Sequence, residues 1–228
     1  MKTETPLYRA GTLLTALVVA SAGCAILGKK EKSAGAGAAG GGAVSAAAGH
    51  KTGSTVRGAL VGAAVGGPAG VAIGRQMDKQ AERLTRELPP GTRVSRVGEG
   101  IAVTFESGIL FPVDSAKLKP EAHGNLRKLA ESLQANGRTE VMIVGHTDAK
   151  GRHEHNEQLS VRRAVAAADY VASQGVARNR LRTIGKGETE PIAPNATEAE
   201  RQQNRRVEVA IYADQKWRDE ARRTARSR

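Results

Sequence analysis

The chain has 228 residues, of which 27 are glycine and 3% are aromatic, and it carries a formal charge of +12 at pH 7. This length allows one ordinary domain with attached segments. The basic charge favours an anionic partner, such as nucleic acid, phospholipid headgroups or an acidic polymer. Because the sequence lacks RNA-binding aromatic motifs, zinc-finger spacings and a clear helix-turn-helix pattern, we do not expect nucleic acid as the partner.

The first 23 residues are typical of an export signal. Lys2 and Arg9 precede an apolar core at Leu13–Ala20 that is too short to span a bilayer. Small residues then lead to Cys24, the only cysteine, which therefore has no partner for an internal disulfide or a CxxC metal site. This pattern resembles the lipobox of bacterial lipoproteins, where the signal is cut before a cysteine that carries lipid, although Ser21 stands where leucine is usual. The alternative is an ordinary signal peptide or a short membrane anchor with an idle thiol.

Two glycine-rich segments follow. Residues 24–52 are rich in Gly, Ala and Ser without an apolar period, which predicts a disordered linker that acts as a flexible tether. In Gly58–Gly74 glycine recurs every fourth residue, so on one helix, kinked at Pro68, the glycines would form a stripe that another helix can approach closely. This segment resembles the glycine zipper of some envelope proteins. We expect either a membrane-associated or self-associating hairpin, which would give a homo-oligomer, or a low-complexity spacer.

The domain boundaries follow from the next breaks in pattern. Apolar residues every three or four positions predict a linker helix over Gln76–Leu88, which Pro89-Pro90-Gly91 ends. We therefore expect a glycine-zipper segment and linker helix at 53–90, a globular domain at 91–213, and a basic tail at 214–228 that is frayed or helical.

The expected domain contains alternating strand and helix patterns. Gly98-Glu99-Gly100 between two strand patterns predicts a β-hairpin, and it is not a dinucleotide fingerprint because the third glycine and the following helix are missing, so no cofactor is expected. The order of elements predicts an α/β fold, a two-layer βαβαβ sandwich with a mixed sheet. The expected elements are strands at Thr92–Val97 and Ile101–Glu106, a loop or edge strand at Ser107–Ser115, a helix from Pro120 to about Asn136, a central strand at Glu140–Val144, a helix capped by Asn156 and ending near Ser173, a strand at Leu181–Ile184, a long polar loop at Gly185–Arg205, and a last strand at Val207–Tyr212.

The stretch Val141–Arg163 carries the candidate binding residues. A short apolar strand ends in a polar cluster that includes Thr147 and Asp148, and a helix begins soon afterwards. This is the usual position of a binding site in a two-layer α/β domain. Asn156 and Arg163 are seven residues apart and share one helix face, with Arg163 expected off the apolar face. A carboxylate, an amide and a guanidinium together suit a small zwitterion, with its ammonium on Asp148 and its carboxylate bidentate on Arg163.

Several motifs over Ile101–Tyr212 fall in an order that resembles the OmpA-like C-terminal domain, the peptidoglycan-binding module shared by OmpA, Pal and flagellar stator proteins such as MotB. The glycine zipper followed by Met77-Asp78-Lys79-Gln80 is similar to the YiaD-type lipoprotein subgroup. The residues that carry the resemblance are Phe111, Asp114-Ser115-Ala116, Leu118-Lys119-Pro120, Gly145-His146-Thr147-Asp148, Gly151, Asn156, Leu159-Ser160, Arg163-Ala164 and Asn204-Arg205-Arg206-Val207-Glu208.

The resemblance implies a function and a set of site residues. The family binds the diaminopimelate residue of peptidoglycan stem peptides without a covalent bond. By this resemblance Asp148 holds the ligand ammonium, Arg163 holds its carboxylate, and Thr147, Asn156 and Arg206 match further pocket residues. Together with the lipobox, it implies a non-enzymatic lipoprotein on the periplasmic face of the outer membrane that tethers this membrane to the cell wall.

Two positions depart from the family pattern. Pro112 replaces the usual aspartate after Phe111, so this loop is expected to be reshaped. His155 stands where an aromatic residue commonly precedes Asn156, which is expected to make one pocket wall more polar.

Other interpretations of these residues remain open. Asp148 and Arg163 could form a surface salt bridge, worth about 0–1 kcal/mol. A metal site at His146, His153, Glu154 and His155 is disfavoured because the two loop histidines have no fixed geometry. A cell-wall enzyme accessory is an alternative, although no serine or cysteine has a histidine and a carboxylate in a credible order. A pore or stator component would need Gly58–Gly74 to span a membrane.

Overall fold

The computed structural model describes residues 53–227, so the expected export signal, Cys24 and the tether at 24–52 lie outside the described residues. Within this range, seven helices and five strands alternate along the chain. The elements are α1 (Thr55–Gly62), α2 (Gly67–Glu87), β1 (Thr92–Val97), β2 (Gly100–Glu106), α3 (Ser107–Leu110), α4 (Pro120–Ala135), β3 (Thr139–Gly145), α5 (His153–Ser173), β4 (Leu181–Gly185), α6 (Glu198–Asn204), β5 (Arg206–Ala213) and α7 (Gln215–Arg226), with a short 3₁₀ turn at Arg178–Arg180.

The five strands form one mixed sheet in the order β1-β2-β5-β3-β4. Only β3 and β4 run parallel, and the other neighbours are antiparallel. The expected two-layer α/β sandwich with a mixed sheet is therefore confirmed. The central strand is β5 and not β3 as the sequence suggested, and every residue of β5 is buried because both of its faces are covered.

The main core lies between one face of the sheet and helices α2, α4 and α5. Alternating residues such as Phe105, Ile143 and Val209 point to this side, as the period of two in a strand requires. They meet the apolar stripes of the helices, for example Leu126 of α4. Burial of these side chains from water is the main stabilising term of the fold.

Helix α1 packs on the opposite face of the sheet. Its Val56 and Leu60 meet a second apolar cluster that includes Met142, Ala210 and Tyr212. Leu60 lies so close to β2 that a Cβ atom at Gly100 would be 2.5 Å from its Cδ2 atom, which explains the glycine there. The face that a two-layer sandwich leaves to solvent is thus partly covered in this chain.

The glycine-zipper segment does not form one continuous helix. The backbone has positive φ at Gly66 (71°) and Gly67 (59°), a conformation that favours glycine. Helix α1 ends at Gly62 and α2 begins at Gly67, so the two are separate helices. Pro68 lies in the first turn of α2, where its missing N–H costs nothing, and so it does not kink a helix. Within residues 53–227 we find no helix with the length and hydropathy of a membrane span. Self-association through this segment stays a prediction.

A carboxylate holds the connection between α1 and α2. Glu99, in the β1–β2 turn, accepts hydrogen bonds from the backbone N–H groups of Val65 (2.8 Å) and Gly66 (2.7 Å). A Cβ atom at Gly70 would lie 1.9 Å from a Glu99 carboxylate oxygen. At this position a zipper glycine therefore serves close packing within one chain.

Helix α2 contributes directly to the main core. Ile73, Met77 and Leu84 are at most 1% exposed and belong to the same apolar cluster as the sheet. An amphipathic helix is stable mainly because its apolar face is buried, and here the sheet and α4 bury it. Residues 67–88 thus share the core of the domain that we expected to begin at residue 91.

Three local elements differ from the expected ones. The segment after β2 forms the short helix α3 and not a loop or edge strand. Helix α5 begins at His153, so Asn156 lies within its first turn and is not its N-cap. The expected loop before β5 contains α6, which a capping box between Thr197 and Glu200 starts.

We distinguish the two sides of the sheet at which the strands begin and end, and we name each of them an edge. Strands β3 and β4 end together at Gly145 and Gly185, next to the start of β5. We call this the site edge. At the opposite edge, Ala213 at the end of β5 pairs with Thr139 at the start of β3, and α7 follows. We call this the far edge.

Candidate functional site

A cleft of about 340 Å³ lies at the site edge, between the loop after β3 and the first turns of α5. Helix α5 approaches β3 so closely that a Cβ atom at Gly145 would lie 2.1 Å from the carbonyl oxygen of Ser160. This contact fixes the helix over the strand end. The cleft is lined by Val113, Asp114, Thr147, Asp148, Lys150, Gly151, His155, Asn156, Leu159, Arg163, Glu198 and Arg205.

Asp148 is a nearly buried carboxylate at the base of this cleft, 7% exposed. Its Oδ2 atom is 2.6 Å from Nη1 of Arg205, and its Oδ1 atom accepts a hydrogen bond from the backbone N–H of Lys150 at 3.0 Å. The alternative interpretation, a salt bridge between Asp148 and Arg163, is therefore not what the structure shows, since Asp148 pairs with Arg205. A carboxylate has about four lone-pair positions, so these two contacts leave Asp148 able to accept another donor.

Arg163 is a buried guanidinium that lines the cleft, and only 3% of its surface is exposed. We expected Arg163 off the buried face of α5, but its side chain is buried. Its Nε donates to the carbonyl of Ser115 at 2.9 Å, and its guanidinium carbon lies 5.5 Å from the centre of the Phe111 ring. Burial lowers the pKa of Arg163, and the nearby Asp114 opposes this shift. Its two terminal nitrogens make no hydrogen bond or ion pair within residues 53–227.

Asn156 and Thr147 complete the group of expected residues in the cleft. The amide nitrogen of Asn156 donates to the backbone carbonyls of Asp148 (3.3 Å) and Lys150 (2.9 Å) and to Glu188. It therefore holds the loop that carries Asp148 in place. The buried hydroxyl of Thr147 has no hydrogen-bond partner in the described part of the chain.

Arg206 does not lie in the cleft, contrary to the expectation. It is 1% exposed and extends from the α1 side of the sheet, where Nε is 2.7 Å from Oε1 of Glu208 and Nη2 donates to the carbonyl of Glu190 at 3.0 Å. His146 is also on this side, fully buried and 3.9 Å from Glu208. Burial, and then the charges of Arg206 and Lys186, hold the pKa of His146 well below its usual value, so it is neutral.

Arg205, and not its neighbour Arg206 to which the resemblance pointed, is the arginine of this pair that lines the cleft. It bridges Asp148 and Glu198, whose Oε1 atom is 2.7 Å from Nη2 of Arg205. Burial opposes the shift, but the hydrogen bonds to Asp148 and Glu198 raise the pKa of Arg205. The alternation of adjacent strand residues predicts that only one of Arg205 and Arg206 faces the cleft, but it does not determine which one.

Of the two positions that depart from the family pattern, His155 lines the cleft, and Pro112 precedes Val113, which also lines it. His155 pairs with Asp114, with 2.7 Å between Nε2 and Oδ1. Asp114 has φ of 52°, in the turn after Pro112, and Val113 beside it is 94% exposed. Within residues 53–227 no three His, Cys, Asp or Glu side chains are arranged to hold a metal ion.

The charges of Arg163 and Asp148 suit a ligand that carries both a negative and a positive group. The unpaired guanidinium of Arg163 suits a carboxylate, to which it can donate two parallel hydrogen bonds. Asp148 can accept an ammonium beside the bond from Arg205. Both protein groups are nearly buried. A ligand with only a positive charge would leave the guanidinium of Arg163 without an anion, and a ligand with only a negative charge would leave Asp148 paired with Arg205 alone.

Comparison with known proteins places the chain in a family. The OmpA family profile matches residues 110–205, and the profile of the YMGG-like Gly-zipper matches residues 1–78. The chain is 39% identical over 156 residues to the Escherichia coli protein named Probable lipoprotein YiaD. The aligned region covers 68% of this chain and 71% of that protein. The chain belongs to the OmpA family. The family match begins at Leu110 and ends at Arg205, and so includes every residue that lines the cleft.

Two further proteins are similar to this chain. The Mycobacterium tuberculosis protein named Peptidoglycan-binding protein ArfA is 36% identical over 132 residues, 56% of this chain and 40% of ArfA. A MotB-like protein of Desulfovibrio vulgaris has a crystal structure similar to this one, with a TM-score of 0.57 and 26% identity over 63% of this chain and 96% of that one. The resemblance that the sequence motifs suggested is confirmed.

Proposed function

We propose that this chain binds peptidoglycan without a covalent bond and that its cleft takes the free amino-acid end of diaminopimelate in a stem peptide. The observation that carries this proposal is the state of Arg163, a nearly buried cation in the cleft whose terminal nitrogens have no partner in the described part of the chain. Such a group is costly unless a ligand anion completes it. The similarity to ArfA, a protein named for peptidoglycan binding, supports the same assignment.

Each cleft residue has a defined part in this proposal. The carboxylate of the ligand lies on Arg163 and its ammonium on Asp148, which Arg205 and the Lys150 N–H orient. Thr147 offers its unpaired hydroxyl to the ligand. Asn156 acts by positioning, since its amide is already bonded to the loop carbonyls. Binding of this kind needs no bond to break, so we assign the site a binding role and not a catalytic one.

Competition tests the ligand assignment. The purified chain is sedimented with peptidoglycan sacculi in the presence of excess diaminopimelate, pimelate or cadaverine. Pimelate keeps the two carboxylates and cadaverine keeps two amines, so neither can satisfy both Arg163 and Asp148. We expect only diaminopimelate to release the chain. If all three release it equally, or if moderate salt does so, binding comes from the general charge of +12.

We also propose that Cys24 carries lipid and that the chain tethers the outer membrane to the wall from its periplasmic face. The lipobox-like residues before Cys24 and the similarity to a protein named as a lipoprotein support this. Two or more acyl chains suffice for stable anchoring. Mass spectrometry of the protein extracted from membranes is expected to show an acylated N-terminus at Cys24. A free thiol at Cys24, or a chain that still begins at Met1, would contradict the proposal.

A further inference from the structure

Strand β1 is an outermost strand of the sheet, and within residues 53–227 it pairs with β2 alone. The two strands pair from Val97–Gly100, beside the two-residue turn, to Thr92–Phe105, without a bulge. In such a hairpin the residues beside the turn exchange both backbone hydrogen bonds, and every second residue along the strand does the same. The residues between them direct their backbone N–H and carbonyl groups away from β2. In β1 these outward residues are Thr92, Val94 and Arg96.

The outward backbone groups of β1 are nearly all without a partner. The N–H of Thr92 donates to the carbonyl of Pro89 at 3.2 Å. The register leaves the backbone groups of Val94 and Arg96 without a partner on β2, and no loop, helix or side chain of residues 53–227 bonds to them. The strand also contains no proline, a residue that can close an outermost strand to pairing. An unbulged strand with free backbone groups can add another strand.

Helix α2 runs alongside β1, and an open groove of about 470 Å³ lies between them. Two contacts fix how the helix and the strand are aligned. Arg96 lies beside Asp78, with 2.7 Å between Nε and Oδ1, and Thr92 lies beside Pro89, just after the end of α2. Val94 is midway between Thr92 and Arg96, so it lies beside the middle of the span of α2 that these contacts define.

The middle of this span carries a free acid and a free base. Glu82 and Arg86 are both exposed and both line the groove, and neither forms an ion pair or a hydrogen bond within residues 53–227. Their spacing of four residues, with the acid first, would suit a pair on the helix surface. Arg83 and Glu87 on the same helix do form a pair, at 2.8 Å. Glu82 and Arg86 are therefore each open to a partner from outside the chain.

We infer that β1 pairs with β1 of a second copy of this chain, antiparallel, about a two-fold axis at Val94. In this register Thr92 of each copy faces Arg96 of the other and Val94 faces its counterpart, so outward groups meet outward groups. The same axis brings Glu82 of each copy beside Arg86 of the other, because Val94 lies beside the stretch that these two residues bound. The contact uses the same surface on both copies, as a two-fold interface requires.

Charge complementarity favours a second copy over another partner. A basic segment would leave Arg86 unpaired and an acidic segment would leave Glu82 unpaired, whereas a second copy pairs both. Like charges of the strand do not lie directly opposite each other, since Arg93 faces Ser95 of the second copy.

This contact leaves both clefts open. The cleft lies beside β3, three strands from β1 in the order β1-β2-β5-β3. Strand β1 begins at the site edge, where Thr92 pairs with Phe105 and Phe105 pairs with Val207, and it ends at the far edge. In the antiparallel pair the site edge of one copy lies beside the far edge of the other, so one dimer presents two separate clefts.

Exchange of charges on α2 tests the contact. Glu82→Arg and Arg86→Glu each place like charges at both positions, so each variant repels its own copy. A single exposed ion pair contributes little, but each substitution replaces two attractions with two repulsions, and we expect the dissociation constant of the dimer to rise on the order of 30-fold. An equimolar mixture of the two variants is expected to restore the parent value, and so is the double variant Glu82→Arg/Arg86→Glu.

Sedimentation equilibrium of the full chain in a mild detergent measures this dissociation constant. The N-terminal segment is the same in every sample, so any association through it is constant. The matched controls Glu131→Arg and Arg127→Glu make the same charge changes at exposed positions of α4 and are expected to keep the parent value.

Val94→Pro tests the backbone contact independently of charge. The N–H of Val94 is not bonded to β2, and outermost strands tolerate proline at such positions, so the substitution removes the outward donor at the centre of the contact. The variant is expected to keep the circular dichroism of the parent and to remain a monomer.

Four results would overturn the inference. A parent chain that is monomeric at every concentration reached shows no such contact. Single variants that keep the parent dissociation constant would assign the association to the N-terminal segment or to another surface. An equal effect of the α4 variants would assign it to net charge, and a mixture that does not restore the dimer would show that Glu82 and Arg86 do not meet. None of the substituted residues lines the cleft, so the peptidoglycan proposal stands or falls separately.

Discussion

Arg163→Ala and Asp148→Ala are each expected to abolish sedimentation of the chain with peptidoglycan sacculi. Arg163 is 3% exposed and Asp148 is 7% exposed, so each ligand charge that loses its partner stays buried without compensation. Truncation of one partner in a buried charge pair typically costs about 2–5 kcal/mol, which weakens binding on the order of 30-fold or more. Because the two residues bind one ligand, the double variant is expected to add little to either single one.

Finer substitutions separate charge from shape at this site. Arg163→Lys is expected to fail, since an ammonium cannot donate two parallel hydrogen bonds to a carboxylate. Asp148→Asn keeps the side-chain volume but removes the charge that the ligand ammonium requires, so it is expected to fail too. Arg163→Met keeps an apolar stem against Phe111 and controls for lost packing. The proposal is wrong if variants shown by circular dichroism to be folded still sediment like the parent.

Arg206→Met is expected to lower the stability of the fold and to affect binding only through that loss. Arg206 is 1% exposed and Glu208 is 9% exposed, and removal of the arginine leaves Glu208 buried without its 2.7 Å partner. Breaking a buried pair from one side costs about 3–5 kcal/mol. In a domain of this size this lowers the melting temperature by roughly 10 °C, which thermal denaturation can measure.

The double variant Arg206→Met/Glu208→Leu is the matched control for Arg206. Replacement of both charges by apolar groups of similar volume is often close to neutral, so most of the lost stability is expected to return. Sedimentation with sacculi is expected to return with it, since Arg206 is not among the residues that line the cleft. A stable double variant that fails to sediment would show instead that Arg206 contacts the ligand, as the family resemblance implied.

The regular elements could be predicted from the sequence because their patterns are local. The period of two in β5 and the apolar stripe of α4 identify these elements without knowledge of their neighbours. The capping box of Thr197 and Glu200 is also a local pattern, although the polar composition of Gly185–Arg205 predicts a loop there. The first turn of α5 was not readable, since Arg152 at its N-cap makes no side-chain hydrogen bond there.

The candidate site could be predicted in part. Asp148 and Asn156 follow the end of an apolar strand, and the spacing to Arg163 gives a common helix face. Which of Arg205 and Arg206 enters the cleft depends on where α6 ends and β5 begins, and no local pattern fixes that residue. The contact between α1 and the second face of the sheet is also non-local, because Val56 and Leu60 meet side chains more than eighty residues away.

The position where α1 meets the sheet has a mechanical consequence. Thr55 donates to Glu190 through its hydroxyl (2.6 Å) and its backbone N–H (2.9 Å), and Glu190 lies two residues from Glu188, which accepts from Asn156 in the cleft. A pulling force on the chain before Thr55, opposed by a ligand held in the cleft, therefore passes through the short loop 186–190. The two hydrogen bonds from Thr55 to Glu190 are the first tertiary contacts along the chain to take up this load, and the apolar contacts of Val56 and Leu60 with the sheet share it.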